Sequence, residues 1–214
     1  MSDLHSRDGI RSAIRTERAV LADEVETLTE AQWATRSLCD RWTVQQVVAH
    51  LTAGASVGAL RWFASVVGAR FDFDLHNERR MSEHVGDTPA DTVAGFRAIE
   101  NSTTSAPGPA AVRLGEIVVH AEDIRRPLGL TRAVPVEVVT VVADLFASGN
   151  YTVPSRRTVR GLRLEATDGS FTSGDGPSVT GTTLALTMAM AGRSVFCDDL
   201  SGPGVDVLRE RIAR

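Results

Sequence analysis

Four successive segments in the first two thirds of this chain repeat their apolar residues at a helical period, and such stripes are buried most simply by packing helix against helix. Ile10, Ile14, Leu21, Val25 and Leu28 fall on one narrow stripe and define a first helix. Thr43 and Gln46 form a Thr-x-x-Gln capping box that opens a second, running through VQQVVAHLTAGASVGALRWFASVV and carrying His50. After the polar stretch LHNERRMSEHVGD, Thr88 and Pro89 supply a cap and a first helical position for a third helix, which reaches about Asn101. The small-residue loop STTSAPGP leads into a fourth, AAVRLGEIVVHAEDIRR, which Pro127 and Gly129 should stop. Four amphipathic helices with modest connections predict a four-helix bundle.

Beyond Pro135 the texture changes. VEVVTVVADLFASGN reads as one more helix, VRGLRLEAT alternates as a half-buried strand does, and SFTSGDGPSVTG fits short strands joined by glycine turns. TTLALTMAMAG then reads as an apolar helix ending at Gly192, and VDVLRERIAR as a short terminal one. The predicted fold class is α+β: a helical bundle and connecting helix over residues 1–150, then a small α+β domain over residues 151–214.

Charge narrows the partners. Lys and Arg total 23 against 27 acidic residues, and a net charge of -4 offers no general attraction to nucleic acid or to an anionic membrane. The start of the chain, MSDLHSRDGIRSAIRTERAV, lacks the apolar core of a signal peptide. No stretch approaches the roughly 18 to 20 apolar residues of a membrane span. A soluble, cytoplasmic protein is expected. Cys39 and Cys197 are far apart and outside any CxxC spacing, so each is expected to be a small apolar filler.

The residues able to do chemistry gather on two helices. Glu116 and His120 are four apart and project from one helical face, where they can converge on one ion. His50 sits at the edge of the stripe formed by Val44, Val47, Val48 and Leu51, and could supply a third ligand. A histidine beside an apolar face is also commonly a hydrogen-bonded core residue, and a Glu-x-x-x-His pair a solvated one, so spacing alone leaves both readings open. His5, His76 and His84 lie in polar segments and are expected to face solvent. Glu122, Asp123, Arg125 and Arg126 are expected to decorate the end of the fourth helix, where cations suit the dipole.

Two segments, AQWATRSLCDRWTVQQVVAHL and GEIVVHAEDIRRPLG, resemble the signatures of the mycothiol-dependent maleylpyruvate isomerase family, an actinobacterial branch of the DinB-like bundle superfamily. In the first, Trp33, Ser37, Leu38, Cys39, Trp42, Thr43, His50 and Leu51 match, while Asp40 and Arg41 stand where a small residue and glycine are common. In the second, Gly115, Glu116, His120, Asp123, Ile124 and the run Arg125 to Gly129 match. The C-terminal GLRLEATDGSFTSGDGPSVTG, the Ala191–Arg193 segment and DDLSGPG also look like the family's second domain, whereas residues 68–87 are only weakly similar. The resemblance implies a DinB-like bundle whose metal ligands are His50, Glu116 and His120, with Arg193 as an active-site arginine. Taken without the resemblance, Arg193 reads as a residue completing a helix end.

Two imidazoles and one carboxylate suit Zn²⁺ or another divalent ion, and three protein ligands leave a coordination position open. The resemblance implies that a thiol, mycothiol, uses it against a small-molecule electrophile, as an isomerase by addition, bond rotation and elimination, or as an S-transferase by stopping after addition or displacement. The same ligands would serve a hydrolase that activates water, or a non-catalytic metal- or thiol-binding module.

Overall fold

The structure, a computed structural model, describes residues 4, 6–39, 42–70, 72–104 and 108–213. The chain divides into two compact units, one of residues 11–131 and the other of residues 132–213 with the start of the first helix up to Ile10. None of the described helices is long and apolar enough to cross a membrane.

The first unit contains α1 (Arg7–Glu26), α2 (Glu30–Trp33), α3 (Val44–Ser56), α4 (Ala59–Gly68), α5 (Phe73–Ser82), α6 (Pro89–Ala98) and α7 (Ala110–Leu128). The expected bundle helices are α1, α3, α6 and α7. Thr43 and Gln46 close the predicted capping box, so the chain enters α3 at a defined angle. Val44, Val47 and Val48 of α3 are wholly buried, as are Phe96 of α6 and Leu114 of α7. α3 packs against α5, α6 and α7. Each such aliphatic side chain contributes about 1.5–3 kcal/mol. Polar clamps fasten α1: Arg18 Nη1 donates to the carbonyls of Ile99 and Ser102 at 3.0 Å each, and Arg97 pairs with Asp23 and Glu26.

Two local expectations need correction, and two further helices were not foreseen. The second predicted helix breaks at Val57, whose backbone is extended, so it forms α3 and α4. Thr52 and Ser56 hydroxyls donate back to the carbonyls four residues earlier, which bends a helix, and Gly54 and Gly58 weaken the same turn. The polar stretch after residue 72 forms α5, capped by the Asp72 carboxylate on the Leu75 N–H at 3.0 Å. The connection after α1 holds α2, opened by a Thr29–Gln32 capping box. Pro127 does not stop α7, which continues to Leu128 and ends at Gly129 in the left-handed conformation, with the Leu130 N–H bonded to the Arg125 carbonyl.

The second unit holds α8 (Val136–Ser148), α9 (Ser155–Thr158), β1 (Arg163–Ala166), β2 (Thr172–Ser173), β3 (Ser178–Gly181), α10 (Thr183–Met190), a 3₁₀ turn (Ser194–Asp199) and α11 (Val205–Ile212). The sheet order is β2-β1-β3, with β1 antiparallel to β2 and parallel to β3. Alternation buries Leu164 on β1 and Val179 on β3, and α10, apolar on all sides, lies between the sheet and α8.

Candidate metal centre

The site is built within the first unit. His50 projects from the second turn of α3 and Glu116 and His120 from successive turns of α7, two helices in direct contact. His50 Nε2 lies 3.6 Å from Glu116 Oε2, and His120 Nε2 lies 3.4 Å from the same oxygen. The two imidazoles meet edge to face with centroids 4.9 Å apart, and the Trp42 ring sits 4.7 Å from that of His50. The side chains of His50 and His120 are 14% and 12% exposed and that of Glu116 36%, so the cluster opens toward solvent on the carboxylate side.

Those separations decide what the cluster can hold. A charge-assisted N–H···O bond runs at about 2.7–2.9 Å. Ligand atoms about 2.0–2.1 Å from a tetrahedral ion stand about 3.3 Å apart. At 3.4 and 3.6 Å the carboxylate stands off both rings by roughly the distance an ion between them requires, and all three donor atoms lie within 4.8 Å of one another. The donor set fits a divalent cation of the zinc class.

Electrostatics separate the two histidines. Burial lowers the pKa of His50. Burial acts on His120 in the same sense but is outweighed by Asp123, Cys39 and Glu116, so its pKa is raised well above the usual value. Burial would push the Glu116 carboxyl up, yet the two imidazoles beside it hold it well below the carboxylate range. The carboxylate is therefore ionised across the neutral range, as a ligand must be.

Two residues read from the sequence as bystanders belong to this centre. Asp123 is fully buried rather than at a solvated helix end, and its Oδ2 accepts from His120 Nδ1 at 2.9 Å and from the Cys39 thiol at 2.9 Å. Cys39 is half-buried and polar in its contacts, with Sγ also 3.4 Å from His120 Nδ1, so it is no apolar filler. Pro127 explains how the Cys39 loop reaches α7. Lacking an N–H, it leaves the Asp123 carbonyl without its helical donor, and the Leu38 N–H takes that place at 3.0 Å. Ser37 braces the loop, its hydroxyl accepting from the Cys39 N–H and donating to the Trp42 carbonyl.

Glu122 and Arg125 are also buried, Arg125 between Glu122 and Glu24 of α1. His76 is buried, its Nδ1 2.9 Å from the Ser65 hydroxyl, and His84 is half-buried, so neither faces solvent as expected. His5, Asp40, Arg41 and residues 105–107 of the predicted loop lie outside the described residues. Arg193 belongs to the second unit, where it is half-buried at the start of the 3₁₀ turn and donates from Nη1 to the Ala191 carbonyl at 2.7 Å.

A helical bundle of this topology, with a small α+β unit and two histidines and a glutamate gathered on facing helices, defines the class: a DinB-like fold. Residues 14–107 match the family described as the mycothiol maleylpyruvate isomerase N-terminal domain. Among solved structures, a mycothiol-dependent maleylpyruvate isomerase is similar with a TM-score of 0.61 at 16% identity, over 95% of this chain and 96% of that one. A histidine-to-alanine variant of such an enzyme gives 0.60 at 15% identity with the same coverage. At this identity the likeness carries the fold. No curated protein matches the chain.

Proposed function

We propose that the chain is an enzyme that binds one divalent cation of the zinc class through His50, Glu116 and His120, and uses mycothiol to isomerise or S-conjugate a small electrophile. The spacing of the three donor atoms carries this reading: 3.4 and 3.6 Å suit ligation and are too long for strong ion-paired hydrogen bonds. The family of the N-terminal region and the solved relatives, named as mycothiol-dependent maleylpyruvate isomerases, support the thiol and the isomerase class. When bound, such an ion supplies a Lewis acid that lowers the pKa of a thiol at its open position.

The chain's own residues do the rest. In a loaded site His50 and His120 would present neutral ring nitrogens, His120 giving up the proton that its raised pKa keeps on the metal-free ring, and Glu116 would supply the one anionic ligand. The Trp42 ring packs against that of His50, with centroids 4.7 Å apart. Arg193 is proposed to pair with a carboxylate of the substrate or of the thiol, for which a guanidinium offers a two-pronged fit. The resemblance of the Ala191–Arg193 segment supports that role.

Purified protein is assayed for consumption of thiol and of several electrophiles, maleylpyruvate among them, with and without mycothiol and after chelation. Turnover that requires both mycothiol and metal is expected. Thiol-independent hydrolysis, or metal and thiol binding without turnover, would refute it.

A further inference from the structure

Asp123 makes contacts that the proposed ligand set does not need for its own coordination. We propose that Asp123 is the positioning residue of the centre. Its carboxylate, seated by the Cys39 thiol, holds His120 in the tautomer protonated at Nδ1 and thereby turns the Nε2 lone pair toward Glu116 and His50.

The chemistry of the donors sets the direction. A carboxylate only accepts, so the proton on the 2.9 Å line between Asp123 Oδ2 and His120 Nδ1 belongs to the ring. A neutral imidazole with Nδ1 protonated has its lone pair on Nε2, the atom 3.4 Å from Glu116. The thiol of Cys39 donates to the same Oδ2, which fixes the carboxylate from a second direction. The Leu38 N–H on the Asp123 carbonyl ties the loop carrying Cys39 to the helical turn carrying Asp123. A wholly buried carboxylate is costly unless satisfied, and the Cys39 thiol and the His120 ring both donate to its Oδ2.

Cys39, His120 and Asp123 could be read instead as a second metal site, since their donor atoms also cluster. The distances favour a network of shared protons. Thiol sulfur to carboxylate and imidazole to carboxylate are both 2.9 Å, whereas ligands of a tetrahedral zinc-like ion with one thiolate would stand about 3.3–3.5 Å apart. Sγ stands 3.4 Å from His120 Nδ1, so it is the two 2.9 Å approaches to the carboxylate, set against the 3.4 and 3.6 Å of the first cluster, that carry the distinction.

The proposal deepens the metal reading but has a test that does not depend on it. ¹⁵N-histidine NMR of the metal-free protein, with His120 assigned by the signals lost in His120→Gln, reports which ring nitrogen carries the proton. Divalent-ion affinity is measured in parallel by competition between Zn²⁺ and a chelator. At a pH high enough for His120 to be neutral, wild type is expected to show one tautomer, protonated at Nδ1. Asp123→Ala loses that preference and weakens Zn²⁺ binding about 10–100-fold with its helical circular dichroism kept. Asp123→Asn, whose amide oxygen can still accept from Nδ1–H, keeps the tautomer and recovers part of the affinity, and Cys39→Ala falls between Asn and wild type. Should Asp123→Ala not fold, Asp123→Asn and Cys39→Ala carry the same two measurements. An unchanged tautomer with Zn²⁺ affinity within twofold in Asp123→Ala overturns the proposal. So does a second bound ion on Cd²⁺ titration whose thiolate absorbance vanishes in Cys39→Ala, because the trio would then be a metal site. If wild type binds no divalent ion, the metal reading fails, and the tautomer measurement alone decides the role of Asp123.

Discussion

Replacing Arg125 with methionine separates a structural clamp from a surface ornament. The guanidinium is wholly buried; Nε donates to Glu24 Oε2 at 2.8 Å and Nη1 to Glu122 Oε1 at 2.9 Å. Nη2 lies 2.8 Å from Glu24 Oε2 but off the hydrogen-bond line, so its contribution there is Coulombic. Glu122 is 9% exposed and Glu24 25%, and removal of the arginine takes this cation away from two carboxylates, one on α1 and one on α7. Breaking a buried pair by removing one partner costs about 3–5 kcal/mol, against about 0.5 for a charge at a solvated helix end. For a chain of this size that is a fall in Tm on the order of 10 °C. The assay is tryptophan fluorescence on heating metal-free protein, because Trp33 and Trp42 lie in residues 11–131 and report that unit. Adding Glu122→Leu to Arg125→Met should recover part of the loss. A fall below about 2 °C would refute the clamp.

Other consequences follow from the same geometry. His50→Ala and His120→Ala should each lose most of a stoichiometric divalent ion, measured by elemental analysis, while keeping the helical circular dichroism, since the bundle rests on its apolar core. Full occupancy in either would remove that histidine from the ligand set. Arg193→Lys should retain metal but lower kcat/KM per loaded chain for a carboxylated electrophile, and Arg193→Ala lower it further; wild-type values for Arg193→Ala would exclude the residue from the reaction. His76 is buried and neutral, its pKa lowered by burial and by the charge of Arg80, so the stability it contributes is present above its unfolded value of about 6.5 and is lost as pH falls below that. In urea titrations between pH 7 and 5, His76→Gln should lose less stability than wild type; parallel losses would show that another group dominates.

The local grammar of the chain was readable directly. The Thr43–Gln46 capping box, the Thr88 cap, the apolar stripes of α1, α3 and α7, and the alternation of β1 are short-range properties that one turn or one strand decides for itself. The i, i+4 relation of Glu116 and His120 is of the same kind, and it survives any arrangement of the neighbouring helices. The break at Val57 and the helix after Asp72 were harder, because a glycine-rich apolar run and a polar one are nearly balanced between states and packing tips them.

What only the tertiary structure decided is the fate of the polar residues near the end of α7. On one helix, Asp123 and Arg125 look like charges on a solvated last turn. Their partners, Cys39 and Glu24, lie 84 and 101 residues away. Pro127 shows the physical reason: a proline reads locally as a stop, but its missing N–H matters here as a vacancy on the Asp123 carbonyl, filled by Leu38 from a distant loop. Periodicity tells which face of a helix a residue occupies, and only the packed chain tells what stands opposite that face.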